Sequence, residues 1–158
     1  MYPYSPNLNK VFQLPFHIYT KFCLSQISNH FPDFSASAFP ALSIKIYSEF
    51  YQSLHKHKKS DLLKTLTFPN AEIIKIAQKS HKKLPFETYE KILNSTLVHA
   101  RISSESVENS SMVNFAHITM KMSFQSADGQ NKTQLNIYER RLDNKLKDSW
   151  KIGFIEDI

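Results

Sequence analysis

Clustered lysines are the residues of this sequence whose chemistry is easiest to recognise, because they can bind anions. Lys and Arg total 20 against 14 acidic residues, which gives a net charge of +6, and the only arginines are Arg101, Arg140 and Arg141. Lysine acts toward phosphate as a point charge, which suits sequence-independent contact with an RNA backbone or an anionic lipid surface. The alternative is an ordinary solvated face that contributes solubility alone. The predicted anion contacts form three groups: Lys56, Lys58, Lys59 and Lys64; Lys75, Lys79, Lys82 and Lys83; and Lys145, Lys147 and Lys151.

Catalytic and metal-binding patterns are a second kind of chemistry to consider. Cys23 is the only cysteine, the seven histidines form no HxxxH pair, and no GxSxG, P-loop or dinucleotide motif occurs. A hidden pocket would have Glu139 with Tyr138, or His99 with His117, as its acid and base. Polar residues on half-exposed strands are usually solvated, so we predict no catalytic residue, no metal and no cofactor.

The lone cysteine and the hydropathy also bear on cellular context. One cysteine permits no intrachain disulfide, which fits a reducing compartment better than secretion. No apolar run reaches the roughly 20 residues that span a bilayer, so membrane contact would be peripheral.

Residues 1–38 differ from the rest of the chain and are predicted to be an N-terminal arm. They combine prolines and many aromatics with only three charged residues, Lys10, Lys21 and Asp33. Helical spacing after Pro15 predicts a short helix over about 15–30. Such an arm either packs on its own domain or docks on a partner or a membrane interface. We favour a partner, with these docking residues: Phe12, Phe16, Tyr19 and Phe22.

Residues 39–158 are predicted to form a single domain that begins with helices. An apolar stripe over 40–56, from Tyr47 to Leu54, indicates the first of them. Ser60 is predicted to cap a second, short helix, and Asn70 a third with Ile73, Ile74 and Ala77 inward.

After Pro85 the apolar period changes from 3.6 to 2, which predicts strands. The strands are expected at 97–102, at 112–125 and at about 132–142, with a last one through Trp150, Ile152 and Phe154. Asp128-Gly129 is typical of a hairpin turn. Leu135 and Ile137 are expected to face inward, and a bulge is expected in the long strand 112–125. The order predicts an α+β fold, with N-terminal helices packed on a strongly curved antiparallel sheet.

Five segments in this order resemble a known group, the Tim-forty-four-like domain superfamily. They are IYSEFYQSL at 46–54, SDLLKTLT at 60–67, VHARISSESVENSSMVNFAHITMKMSFQS at 98–126, IYERRL at 137–142 and SWKIGFI at 149–155. The chain is most similar to two branches of that group. These are the mitochondrial large-subunit ribosomal protein L-forty-five and the fungal Mba inner-membrane ribosome receptor.

The resemblance implies a cone-shaped fold similar to that of nuclear transport factor two, and a non-catalytic protein. It implies a place in the mitochondrial matrix, peripheral to the inner membrane. The implied partners are the large ribosomal subunit near its exit tunnel, the anionic inner membrane and the insertion machinery. A small-molecule isomerase or dehydratase of the same fold, and an import-motor adaptor, are the alternatives.

Overall fold

The computed structural model describes residues 13–55, 59–107, 111–143 and 149–158. These residues form an α+β fold of four helices followed by a four-stranded antiparallel sheet. The helices are α1 (Gln13–His30), α2 (Phe39–His55), α3 (Lys59–Thr65) and α4 (Phe68–Lys79). The strands are β1 (Lys91–Val107), β2 (Ser111–Gln125), β3 (Asn131–Arg141) and β4 (Lys151–Asp157). The sheet is open, with β1 and β4 at its edges.

The four predicted helices are confirmed, but two of the predicted caps are wrong. Ser60 lies inside α3, and α4 begins at Phe68, two residues before Asn70. Pro69 suits the first turn of α4 because its missing N–H is one that a helix start leaves unpaired in any case. The Asn70 amide instead donates to the Gly153 carbonyl oxygen at 2.5 Å and ties α4 to β4.

Strand β2 alternates as predicted and forms the centre of the core. Its residues Ala116, Ile118, Met120, Met122 and Phe124 are fully buried against the helices. The predicted bulge is not in β2, whose residues pair consecutively with β3. The extra residues are Leu93 and Val98 in β1, where the register against β2 shifts twice. Strand β1 is also far longer than the predicted 97–102.

The facing predicted for β3 is wrong. Gln134, Asn136 and Tyr138 pair with core residues of β2 and are fully buried on the helix side. Leu135 and Ile137 lie on the opposite face of the sheet. The polar side chains on the helix side are hydrogen bonded there: Tyr138 donates to the Ser43 carbonyl at 3.0 Å, and Gln134 to the Glu87 carbonyl at 2.7 Å. Burial raises the pKa of Tyr138, so its hydroxyl keeps its proton.

Strand β4 has an irregularity that the alternation of Trp150, Ile152 and Phe154 does not show. Ile152 pairs with Tyr138 and Phe154 with Ile137, so Gly153 is an extra residue opposite β3. Such a bulge moves the residues after it to the other face. Trp150 and Ile152 are therefore in the core as predicted, whereas Phe154 is on the opposite face.

The described part of the N-terminal segment belongs to the same core as the sheet. Cys23, Ile27, Phe31 and Phe34 are buried with residues of α2, β2 and β4. The division at residue 38 stays a prediction, but this packing does not favour a domain whose core closes without the arm.

Candidate anion-contact and docking surfaces

The C-terminal end of α4 carries an exposed group of lysines. Lys79 ends the helix, and Lys82 and Lys83 follow it; all three are exposed. The chain turns there with His81 in the left-handed region at φ 50°. The Lys82 N–H donates to the Ala77 carbonyl at 3.0 Å, the six-to-one bond of a Schellman turn. Cations at this end are favoured by the helix dipole, so the location is stabilising as well as basic.

Two other predicted contacts are already engaged with carboxylates. Lys64 donates to Asp61 at 2.8 Å, and this hydrogen bond raises the pKa of the lysine. The Lys75 ammonium lies 3.7 Å from Glu72 on α4. Exposed pairs of this kind are weak and leave the lysines able to reach an anion.

The remaining predicted contact residues lie in β4, in two helices or outside the described ranges. Lys151 is half-buried on β4, where it pairs with Glu139 of β3. Lys59 lies in α3 and Phe16 in α1. The other predicted residues lie outside the described ranges: Lys56, Lys58, Lys145, Lys147 and Phe12.

Helix α1 presents an apolar outer face while its inner face enters the core. Ile18 and Phe22, one turn apart, are 66% and 58% exposed, and Tyr19 is 44% exposed. Cys23 and Ile27 are buried. The two predicted docking residues with described side chains, Tyr19 and Phe22, are therefore accessible.

The outer face of α4 has an apolar group that the sequence interpretation missed. Phe68, Ile73 and Ile76 are 65%, 47% and 62% exposed, whereas Ala71, Ile74 and Ala77 are buried. Ile73 was expected inward, so that prediction is wrong. Adjacent residues on a helix are about 100° apart, so Ile73 and Ile74 cannot both occupy the centre of one face.

A polar cluster on the face of the sheet opposite the helices joins residues of three strands. The Ser103 hydroxyl lies 2.7 Å from Nε2 of His117, and the other imidazole nitrogen, Nδ1, lies 3.7 Å from Oε2 of Glu139. Arg101 pairs with His117 from β1. Burial, and then the Arg101 charge, lower the pKa of His117 to about 4, so the imidazole is neutral at pH 7.

This cluster has the order hydroxyl, imidazole, carboxylate that activates a serine. The Nδ1 to Oε2 distance exceeds a hydrogen bond, and His117 is 1% exposed. Of the two pairs proposed for a hidden pocket, the structure separates one: Tyr138 lies on the helix side of the sheet and Glu139 on the other. His99 and His117 lie on one face of the neighbouring strands β1 and β2, where His99 pairs with Thr119 and His117 with Arg101.

Among the described residues, neither the cavity nor the possible metal ligands form a stronger candidate site than the lysine group and the apolar helix faces. A cavity of about 440 Å³ lies between α4 and β4, lined by residues that include Asn70, Ile73, Ile152 and Ile155. Within the described ranges, no group of three or more His, Cys, Asp or Glu side chains could hold a metal ion. In the same part of the chain, no helix is long and apolar enough to cross a membrane.

No known protein-family model matches the chain, and no curated protein is similar enough to count as a relative.

Proposed function

We propose that this protein is a non-catalytic component of, or receptor for, the mitochondrial large ribosomal subunit. In this proposal it lies near the exit tunnel and helps to tether the ribosome to the inner membrane for protein synthesis and insertion. The observation that carries the proposal is the exposed basic end of α4, with Lys79, Lys82 and Lys83, on a protein of net charge +6. Such a surface attracts phosphate-bearing partners.

The fold supports a scaffold role in the same proposal. We infer that the open antiparallel sheet curves around the helices as a cone similar to that of nuclear transport factor two. The interior of the described domain is filled by large side chains, among them Tyr47, Phe50 and Phe124, which are fully buried. A filled core suits a protein that works through its surface.

Helix α1 supplies the second contact in this proposal. Ile18, Tyr19 and Phe22 are exposed on a helix anchored by its other face, an arrangement that suits docking on a neighbouring ribosomal protein. The lysines would supply long-range attraction and the apolar face a specific fit.

Salt-dependent sedimentation tests the proposal. In a mitochondrial lysate, the protein should sediment with the large subunit at low salt and be released as the salt rises, because neutralised phosphates release counterions. The triple variant Lys79→Gln, Lys82→Gln, Lys83→Gln should be released at lower salt. A matched control, Lys45→Gln, Lys91→Gln, Lys121→Gln, removes the same charge elsewhere. The proposal fails if the protein never sediments with the subunit.

One observation favours an enzyme as a second candidate, the Ser103, His117 and Glu139 cluster. The non-catalytic proposal predicts that Glu139→Gln, His99→Ala and His117→Ala, if folded, leave ribosome association and respiratory growth intact. A folded variant that still binds ribosomes but abolishes growth would support the enzyme instead. For an import-motor adaptor, the third candidate, the protein would sediment with chaperones rather than with the subunit.

A further inference from the structure

The outer edge of β4 presents main-chain hydrogen-bonding groups beside an apolar cavity. Alternate residues of an antiparallel strand direct their N–H and C=O groups to the neighbouring strand, and the residues between them direct theirs away from it. The Ile158 N–H donates to the Thr133 carbonyl of β3 at 3.1 Å. Because the register against β3 is regular up to that point, Ile155 and Asp157 direct their main-chain groups away from β3.

The first half of this edge is covered by the segment that leads into α4. The Thr67 N–H donates to the Ile152 carbonyl at 3.1 Å, and the Asn70 amide donates to the Gly153 carbonyl. Among the described residues, no main-chain hydrogen bond reaches Ile155 from the outer side of the strand. An open strand edge is a template for pairing with another chain, and folded proteins usually block it. A further strand therefore fits beside the second half of β4.

The other edge of the sheet is less suited to an added strand. The register of β1 shifts at Leu93 and at Val98, and α1 packs against the same strand. Bulges of this kind twist an edge and interrupt the ladder that an added strand needs. Beyond Gly153, by contrast, β4 pairs regularly with β3 up to Asp157.

The cavity beside the β4 edge determines which side chains suit an added strand on the helix side of the sheet. Its volume is about 440 Å³. Its apolar lining comes from four segments and includes Leu66, Ile73, Phe86 and Ile155. The cavity alone selects no ligand. In a strand paired with β4, however, the residue opposite Ile155 points to the same face as Ile155 and enters the cavity.

Acidic side chains flank the same edge. Among the described residues that line the cavity, the charged ones are Glu156 and Asp157, and both are exposed. Glu156 pairs with Leu135, so its side chain lies on the face of the sheet opposite the helices. An added strand thus meets an apolar cavity on one face and a carboxylate on the other, on a protein whose net charge is +6.

We propose that the edge of β4 at Ile155 and Asp157 binds an extended peptide segment of a partner protein, antiparallel to β4. The segment alternates apolar and basic residues, so that the apolar side chain opposite Ile155 enters the cavity and a basic neighbour lies near Glu156. In strand addition, main-chain hydrogen bonds give affinity and pockets for alternate side chains give specificity. Antiparallel pairing continues the order of the sheet and is slightly more stable than parallel pairing. The contact uses none of the lysines assigned to the ribosome, so it goes beyond the proposed function.

Fluorescence anisotropy with a labelled synthetic peptide tests the proposal on the full chain. The probe is a capped hexapeptide of alternating lysine and valine, which should bind the unaltered protein. The same peptide N-methylated on its valines should bind on the order of tenfold less tightly, since an antiparallel residue opposite Ile155 donates its own N–H to the edge. The matched control peptide is N-methylated on its lysines, whose N–H groups point away from the edge, and should bind within about twofold of the probe.

Matched protein variants locate the site. Ile73→Ser removes an apolar wall of the cavity and should weaken binding of the probe by roughly fivefold. Ile76→Ser changes a side chain of the same helix that is 62% exposed and does not line the cavity, so it should bind like the unaltered protein. Glu156→Lys should weaken binding of the basic probe more than Glu105→Lys, the same charge change at an exposed position of β1. A thermal melt of each variant checks the fold.

Three results would overturn the inference. The first is no binding of the unmethylated probe at concentrations up to about 1 mM. The second is equal binding of the two methylated peptides, because the edge would then make no hydrogen bonds to the probe. The third is a dimer of the unaltered protein in light scattering that the probe dissociates, which would assign the edge to a second copy of the chain. These measurements involve no ribosome, so failure of the proposed function does not affect them.

Discussion

Trp150, immediately before β4, packs against aromatic residues of the N-terminal segment and of α2. Its ring centroid lies 5.0 Å from that of Phe39, 5.8 Å from that of Phe34 and 6.0 Å from that of Phe31. Edge-on and tilted aromatic contacts of this kind stabilise beyond the area they bury. The indole thus packs against residues on both sides of the predicted boundary at residue 38.

Trp150→Ala is expected to lower the free energy of unfolding by about 3–5 kcal/mol, because it leaves a large cavity among aromatic rings. Urea unfolding at pH 7 measures the change. Phe22→Ala, at a residue 58% exposed, is the control and should change stability far less. An equal loss in both variants would contradict the packing described for the indole.

His117 makes folding sensitive to pH. Burial and, after it, the Arg101 charge lower its pKa to about 4. Glu139 of β3, with Oε2 3.7 Å from Nδ1 of His117, is itself paired with Lys151 of β4. An unfolded histidine has a pKa of about 6.5. Between these two pKa values the imidazole is protonated in the unfolded chain and neutral in the folded chain. The contribution of the neutral His117 imidazole to the free energy of unfolding is therefore fully present above pH 6.5 and is lost as the pH falls toward 4.

His117→Gln should consequently flatten the decline in unfolding free energy between pH 6.5 and 5, a range above most carboxyl titrations. Urea midpoints at several pH values in that range measure the slope. His30→Gln, at an exposed position, should leave the slope as it is in the unaltered chain. An unchanged slope in His117→Gln would show that the buried imidazole is not the group responsible.

At the scale of the element, β-bulges and a left-handed turn residue determine which side chains each segment exposes and which it buries. Bulges in β1 and at Gly153 of β4 change which side chains face the helices. The turn after α4 places a non-glycine residue, His81, in the left-handed region. Glycine adopts that region without the clash that a Cβ makes with the backbone.

His81→Gly is therefore expected to raise the free energy of unfolding by roughly 1 kcal/mol through relief of this strain. His81→Val should lower it, because a branched side chain tolerates positive φ least. Urea denaturation of the two variants gives both values. A loss of stability in His81→Gly would mean that the imidazole itself makes a stabilising contact.

At the scale of the whole molecule, the N-terminal segment and the sheet share one hydrophobic core. Ile27 and Phe31 are buried among residues of α2 and β4. The Arg140 guanidinium stacks 3.9 Å above the Phe31 ring and donates to Asp33 at 3.0 Å. Apolar packing, the stacking of Arg140 on Phe31 and the ion pair of Arg140 with Asp33 thus hold residues 17–38 to the sheet.

Deletion of residues 1–38 is therefore expected to abolish the cooperative thermal melt, because it exposes the aromatic surface around Trp150. Circular dichroism against temperature measures the transition. The full-length variant Ile18→Ser, Phe22→Ser is the control: it should melt normally, since both side chains are exposed, and under the proposed function it should bind ribosomes more weakly. A cooperative melt of residues 39–158 alone would restore the original division into arm and domain.

The sequence alone determined the order of elements, the central strand and the basic groups. Helix and strand periods are properties of neighbouring residues, so Tyr47 with Phe50, or the alternation through Met120, can be interpreted locally. Net charge and the lysines at the end of α4 likewise need no folding to be recognised. Only the tertiary structure decided the facing of β3, the position of Phe154 and the exposure of Ile73. The first two depend on strand partners distant in the chain, and a single unpaired residue such as Gly153 reverses the face of every side chain after it. The exposure of Ile73 depends on which face of α4 packs against the core.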